Sequence, residues 1–170
     1  MNDTNLDQVL SQRLDARRDI VNVDIPTVKL VIFELGEQRF AFHGSHIREI
    51  LAQAEVFFLP GCPSSLEGVI NVRGDIESVM RPHAMLQVAD NAAGRNSSIL
   101  LGEGSGMRSG IRVDRVVDVT DVPQSSIQPP GATQPEHLRA LVLGVLHFQS
   151  QAVTVLDLDQ LFISYARGLG

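Results

Sequence analysis

The sequence has very little of what nucleic-acid-binding and membrane-surface proteins depend on. Among its 170 residues lysine occurs once, at Lys29, tryptophan is absent, tyrosine occurs once, and the net charge is -6 at pH 7. Phosphate binding requires clustered lysine and arginine, and base stacking requires aromatic side chains. The composition therefore argues against a nucleic-acid partner and against an anionic membrane surface.

Long apolar runs and paired cysteines are also missing. The longest apolar run lies within residues 140–146, far short of the roughly 20 residues that span a bilayer. The chain opens on the polar residues 2–4, where a secretory signal has basic residues followed by an apolar stretch. The single cysteine, Cys62, can form no internal disulfide, which is typical of a reducing compartment. We expect a cytoplasmic protein without membrane insertion, with Cys62 as a buried or inert thiol.

A polar extension, residues 1–26, precedes the main body of the chain. Four apolar residues recur in it at helical spacing, which favours a short amphipathic helix: Leu6, Val9, Leu10 and Leu14. Such a helix would pack on the body or fray, or would serve as a partner-docking segment.

From Val28 onwards the pattern changes to short runs rich in Val, Ile, Leu and Phe, separated by glycine and polar pairs, which is typical of strands joined by tight turns. Residues 30–42 and 68–80 predict two hairpins, with a further strand in HIREILA between them. Residues 89–97 have the composition of a linker. After it the chain starts again with a hairpin, a strand, a Pro-rich loop, another hairpin and a closing helix.

This repetition indicates an internal duplication. Three pairs match at an offset of 76, and upstream the offset is 66 at Gly36 and Gly102 and 69 at Glu49 and Asp118. The duplication predicts two mainly β copies, about residues 27–88 and 97–165, each with about five strands and one small helix. They would close into barrels and pack together, with or without an exchange of strands, leaving a groove between them. The pairs at offset 76 are Gly68 with Gly144, Met80 with Leu156, and Leu86 with Phe162.

No motif in the chain carries catalytic or metal chemistry. The five histidines are scattered, and no carboxylate or cysteine joins them at metal-ligand spacing. GEGSGMRSG lies between two predicted strands, so it is a hairpin turn and not a phosphate loop. No GxSxG elbow is present, although a triad assembled only in space stays open. We therefore predict no catalytic residues, no metal and no cofactor.

Two opposite charges stand in otherwise apolar strands, Glu49 in HIREIL and Arg73 in NVRG. An arginine at a hairpin tip beside a glycine can extend into a groove, pair with a carboxylate and offer donors to a partner. The alternative, a solvated turn arginine, stays open because exposed arginines are common.

Several motifs between Val28 and Phe162 resemble the CheW-like domain family, which is found in chemotaxis coupling proteins and at the end of chemotaxis histidine kinases. GVINVRG is close to the family's G-V-x-N-L-R-G signature, and it stands between FELGEQRFAF, HIREIL and LPGCPSSLE on one side and GIRVDRVVDV and VLDLDQLF on the other. The resemblance implies a mainly β fold of two SH3-like five-stranded β-barrel subdomains packed together, with short helices.

The resemblance also implies a function. Family members are non-catalytic adaptors with one surface for the regulatory domain of a CheA-type histidine kinase and another for the cytoplasmic tip of a chemoreceptor, a methyl-accepting chemotaxis protein, and they are recruited to receptor arrays at the inner membrane surface. Carried over by position, Ile47, Glu49, Ile50 and Arg73 would bind the receptor, with Glu49 and Arg73 as an ion pair. The kinase-binding residues stay unassigned.

One segment departs from the family pattern. Ser78 stands at a proline position, and Arg81 followed by Pro82 replaces an Asp and Leu pair, which the second copy keeps at residues 157–158. A changed charge near the first helix can alter partner choice without altering the fold. The departure leaves open a CheW-like adaptor of a non-flagellar pathway, such as pilus motility or surface sensing. A separate alternative, from another functional class, is a small-molecule sensor or enzyme using the inter-barrel groove.

Overall fold

The computed structural model of the protein describes Gln8 and residues 25–90, 97–132 and 134–169. The helix expected in the N-terminal extension and most of the linker therefore lie outside the described residues. None of the helices in these ranges is long and apolar enough to cross a bilayer.

In the described ranges, strands dominate and form two five-stranded sheets. Sheet I has the order β8-β1-β2-β10-β9, and sheet II has the order β3-β6-β7-β5-β4. The predicted mainly β class is confirmed. The strands are β1 Thr27–Leu35, β2 Gln38–His43, β3 Ile47–Leu51, β4 Leu66–Val72, β5 Asp75–Met80, β6 Ser98–Gly104, β7 Met107–Val113, β8 Arg115–Pro123, β9 Val142–Phe148 and β10 Gln151–Leu156; the helices are α1 His83–Leu86, α2 Glu136–Arg139 and α3 Leu158–Leu169.

Each sheet takes strands from both copies of the duplicated unit. Sheet I joins β1 and β2 to β8, β9 and β10, while sheet II joins β3, β4 and β5 to β6 and β7. Neither sheet therefore coincides with residues 27–88 or 97–165. The largest buried apolar cluster also mixes the copies, since Phe33 and Phe42 pack with Leu156 and Phe162. Because each copy completes the other's sheet, we expect the two sheets to unfold together.

The strand registers correct one detail of the duplication. The first hairpin turns at Gly36–Glu37 and its counterpart at Ser105–Gly106, which is 69 positions later. Gly102 lies inside β6, so the match of Gly36 with Gly102 at an offset of 66 is wrong. Ser105 holds that place and adopts the left-handed backbone that glycine usually supplies, with φ +50°. The offset is 69 from β1 to β3 and 76 from β4 onwards.

Gly68 and Gly144, which match at the offset of 76, have the same steric role. A Cβ atom on Gly68 would lie 2.3 Å from the carbonyl oxygen of Phe57, and one on Gly144 would lie 2.6 Å from that of Gln128. The loop before β4 crosses over Gly68 and bonds to Val69, and the loop before β9 crosses over Gly144 and bonds to Val145. The duplication preserved glycine here because the loop backbone leaves no room for a side chain.

Replacing Gly68 with alanine is expected to lower the free energy of unfolding by about 1–3 kcal/mol, since the Cβ atom would have to displace a main-chain carbonyl. Urea unfolding followed by circular dichroism measures the change. Gly168→Ala in α3 is the matched control, because a Cβ atom there meets nothing within 4 Å. An unchanged midpoint for Gly68→Ala would show that the loop can move away at little cost.

Candidate functional site

The β4–β5 turn presents Arg73 at the edge of sheet II. Arg73 and Gly74 both have left-handed backbones, with φ +51° and +93°, which is the geometry of a two-residue hairpin turn. The side-chain oxygen of Asn71 accepts a hydrogen bond of 2.8 Å from the Gly74 amide. This local structure holds the arginine at the hairpin tip, where 75% of its side chain is exposed.

Arg73 forms a two-pronged ion pair with Glu49 of β3. Its Nη1 lies 3.2 Å from Oε1 of Glu49 and its Nη2 lies 2.5 Å from Oε2. The hydrogen bonds from Arg73 hold the pKa of the Glu49 carboxyl below its usual range, and they raise the pKa of the Arg73 guanidinium. Because β3 and β4 are the two edge strands of sheet II, the pair connects the open edges of this sheet.

A groove of about 450 Å³ lies beside the ion pair. Its walls combine four apolar residues with five polar or charged ones, so the groove is amphipathic. The lining residues are Glu49, Leu51, Gln53, Ala54, Glu55, Phe57, Asn71, Val72 and Arg73.

The structure brings together two of the four predicted receptor-binding residues. Glu49 and Arg73 contact each other and line the groove, whereas Ile47 and Ile50 do not line it. Ile47 is half-buried against the main apolar cluster, and Ile50 points outward with 39% exposure. Ile47 and Ile50 are three positions apart on β3, whose side chains alternate in burial, so they point to opposite faces of the strand.

Sequence reasoning missed the residues that the loop after β3 contributes. Glu55 and Phe57 both line the groove, and Phe57 reaches it because its backbone bonds to Val69 of β4. The signal was present in VFFLP, an apolar run between the predicted strand HIREILA and the second predicted hairpin. Such a run in a connection either packs inward or forms a surface for a partner.

A second cluster of charges lies within sheet II, around Glu67 of β4. Arg112 of β7 donates to both Glu67 oxygens, over 3.0 Å and 2.6 Å, and Arg81 donates to one of them. Burial raises the pKa of the Glu67 carboxyl, but the hydrogen bonds and charges of the two arginines outweigh it, so the pKa is below its usual range. One carboxylate therefore joins side chains from both copies.

The same arginines contact residues near both ends of the linker. Nε of Arg81 lies 2.9 Å from a carboxylate oxygen of Asp90, and Arg112 donates to the Ser97 hydroxyl over 3.3 Å. The hydrogen bond to Asp90 raises the pKa of the Arg81 guanidinium. Arg81, where the resemblance implies an acid, is thus part of a network around Glu67 that holds the chain where one copy passes to the next.

Elsewhere in the described ranges, the buried His83 pairs with Asp114, with Nε2 of the ring 3.0 Å from Oδ1 of the carboxylate. Within these ranges no group of three or more His, Cys, Asp or Glu could hold a metal ion. Cys62 is a half-buried free thiol, so it is more exposed than a core cysteine. The groove beside Arg73 is therefore the candidate functional site of this protein.

Comparison with known proteins gives relatives that span most of the chain. The chemotaxis protein CheW of Rhizobium meliloti (strain 1021) is 27% identical over 139 residues, which is 82% of this chain and 90% of that protein. The chemotaxis protein CheW of Treponema pallidum (strain Nichols) is 29% identical over 158 residues, covering 89% of this chain and 91% of that protein. Protein FrzA of Myxococcus xanthus is 25% identical over 141 residues, covering 80% and 86%.

The fold also has a counterpart among solved structures. The scaffolding protein TtCheW from Thermoanaerobacter tengcongensis superposes with a TM-score of 0.72 at 26% identity, covering 81% of this chain and 93% of that one. The predicted pair of SH3-like subdomains is thereby confirmed. The family model for the CheW-like domain matches residues 29–165. The chain belongs to the CheW-like domain family, a family of chemotaxis adaptors.

Proposed function

We propose that this protein is a non-catalytic adaptor that couples the cytoplasmic tip of a chemoreceptor to a CheA-type histidine kinase. It would work in the cytoplasm, recruited to receptor arrays at the inner membrane surface. The observation that carries the proposal is the exposed Glu49–Arg73 pair at the rim of a groove with both apolar and polar walls, in a chain whose family consists of chemotaxis adaptors.

The groove suits binding of a helical hairpin better than chemistry on a small molecule. Phe57, which is 52% exposed, offers apolar surface on which a helix can bury its own apolar side chains, and the half-buried Leu51 lies in the same groove. Arg73 uses part of its guanidinium on Glu49, and its remaining N–H groups can bond to a partner's carbonyl or carboxylate. Apolar burial would supply affinity, while the ion pair would fix orientation.

An adaptor of this kind transmits a change that it does not create. A kinase held beside a receptor tip responds only if the two receptor states contact the adaptor differently, because a ligand shifts an equilibrium only by its differential affinity. We therefore assign to this protein the role of coupling receptor geometry to kinase activity.

A reconstitution tests this function directly. Receptor cytoplasmic fragments and the CheA-type kinase of the same organism are mixed with and without the protein, and co-sedimentation and kinase autophosphorylation are measured. We expect the protein to sediment with both partners and to make the autophosphorylation rate depend on the receptor. If it binds neither partner, or if the kinase responds equally well without it, the proposal fails.

An adaptor role in a non-flagellar pathway is the second candidate. The observation that favours it is Arg81, which replaces the acid implied by the resemblance and is part of a charge network in the structure. One relative of similar identity also carries a name other than CheW. Identifying which receptor and kinase genes lie beside this gene distinguishes the two candidates, since only a flagellar pathway should be accompanied by flagellar genes.

A further inference from the structure

An exposed apolar surface lies beside the groove on sheet II. We call Phe57, Phe58, Leu59 and Ile76 the aromatic patch; Phe58 is 74% exposed and Ile76 is 66% exposed. Phe57 lies opposite Val69 of β4, and Ile76 lies opposite Asn71 two positions along the same strand. Because directly opposed residues, and alternate residues along a strand, point to the same face, Phe57 and Ile76 share the outer face of the sheet.

The second copy shows that the fold does not require these apolar side chains. At the equivalent positions of sheet I, Gln128 lies opposite Val145 and Ala152 lies opposite His147. The loop-to-strand hydrogen bonds are the same in both copies, at 2.8 Å and 2.9 Å for Phe57 and at 2.8 Å twice for Gln128. One backbone thus carries glutamine and alanine in one sheet and phenylalanine and isoleucine in the other, which indicates that the apolar pair serves an interaction.

The charges around the patch indicate what binds there. Glu55 lines the groove next to Phe57 and forms no ion pair within the described part of the chain. Asp75 is exposed directly before Ile76. Arg73 lines the same groove, but its charge is already paired with Glu49, so the net charge around the patch is negative. A second copy of this chain fits poorly, because a twofold contact would bring these carboxylates together. An apolar segment that carries basic side chains fits well.

We propose that the aromatic patch extends the groove into one continuous receptor-binding surface, and that its occupant is an amphipathic helix of the receptor hairpin with a basic side chain that pairs with Glu55. Phe57 belongs to both the groove and the patch, which makes the two surfaces continuous. This inference rests on the proposed receptor coupling and adds the chemistry that selects the receptor.

The test replaces Phe57 and Ile76 with the residues that occupy the equivalent positions in the second copy, Gln128 and Ala152. The double variant Phe57→Gln with Ile76→Ala should bind a purified cytoplasmic hairpin fragment of the organism's receptor about tenfold or more weakly, since apolar anchors dominate such interfaces. Its thermal midpoint should stay within about 2 °C of the wild type, because the same residues occupy this backbone in the other copy. Glu55→Gln should weaken binding a few-fold and reduce its salt dependence.

Leu143→Gln is the matched control, because Leu143 is a 45% exposed apolar residue on β9 of sheet I; it should bind the fragment as the wild type does. If the wild type binds the fragment and the double variant binds it equally, this inference fails while receptor coupling stands. If the wild type does not bind, both fail. A large drop in the thermal midpoint of the double variant would show that the patch is structural. A change in its self-association, measured by light scattering, would assign the patch to a dimer contact. Either result overturns the proposal.

Discussion

Replacing Glu67 with glutamine is expected to lower the free energy of unfolding by about 2–4 kcal/mol, because in a largely buried site it removes the counter-charge of Arg112 and leaves Arg81 paired with Asp90 alone. The side chains of Arg112 and Arg81 are 11% and 16% exposed, so water can replace the lost carboxylate only in part. Urea unfolding at pH 7 measures the effect. Glu103→Gln is the control, since Glu103 pairs with Arg48 on the surface and an exposed pair contributes about 0–1 kcal/mol.

The same variant should show how stability depends on pH. The folded-state pKa of Glu67 lies below its ordinary value of 4.5, so the stabilisation is complete above that value and is lost as the pH falls through the folded pKa. The difference in unfolding free energy between wild type and Glu67→Gln should therefore be constant from pH 7 to about pH 5 and should shrink at lower pH. A difference that stays constant down to the acid limit would show that the charge of Glu67 is not what stabilises the protein.

The sequence was sufficient for features that depend on local pattern. Turn glycines and alternating apolar residues marked the hairpins, and the pair Gly68 and Gly144 revealed the repeat because the same loop crossing excludes a side chain in both copies. The match of Gly36 with Gly102 was wrong because the turn of the second copy has a serine where the first has a glycine. Residue identity alone does not define a turn, since Ser105 adopts the left-handed backbone at the equivalent position.

Features set by long-range pairing could not be predicted. The two copies exchange strands because β3 of the first copy pairs with β6 of the second copy. The sequence of β3 does not show which strand it will pair with. The network around Glu67 joins it to Arg112, 45 positions away, and no periodicity connects such residues. At the candidate site, the ion pair could be carried over from the family signature, but the contribution of Phe57 depends on a loop crossing that only the tertiary structure shows.

Reversing the charge of Arg73 should abolish most receptor binding with little effect on the fold. Arg73→Glu leaves two carboxylates facing each other at the rim of the groove and removes the guanidinium donors, so we expect binding of the receptor fragment to weaken about tenfold to a hundredfold. The thermal midpoint should shift by no more than about 2 °C, because the pair that is lost is largely exposed. Arg48→Glu is the matched control, since Arg48 lies on β3, is 61% exposed and is also ion-paired; it should bind nearly as the wild type does.

A charge swap then separates contact with the partner from positioning of the site. Glu49→Arg combined with Arg73→Glu restores an ion pair of opposite orientation between β3 and the β4–β5 turn. If Arg73 touches the receptor, the swap should bind as weakly as the single variant, because the guanidinium would stand on the wrong strand. If the swap recovers wild-type affinity, the pair only holds the two edges of sheet II together, and the receptor contact must be assigned to other residues of the groove.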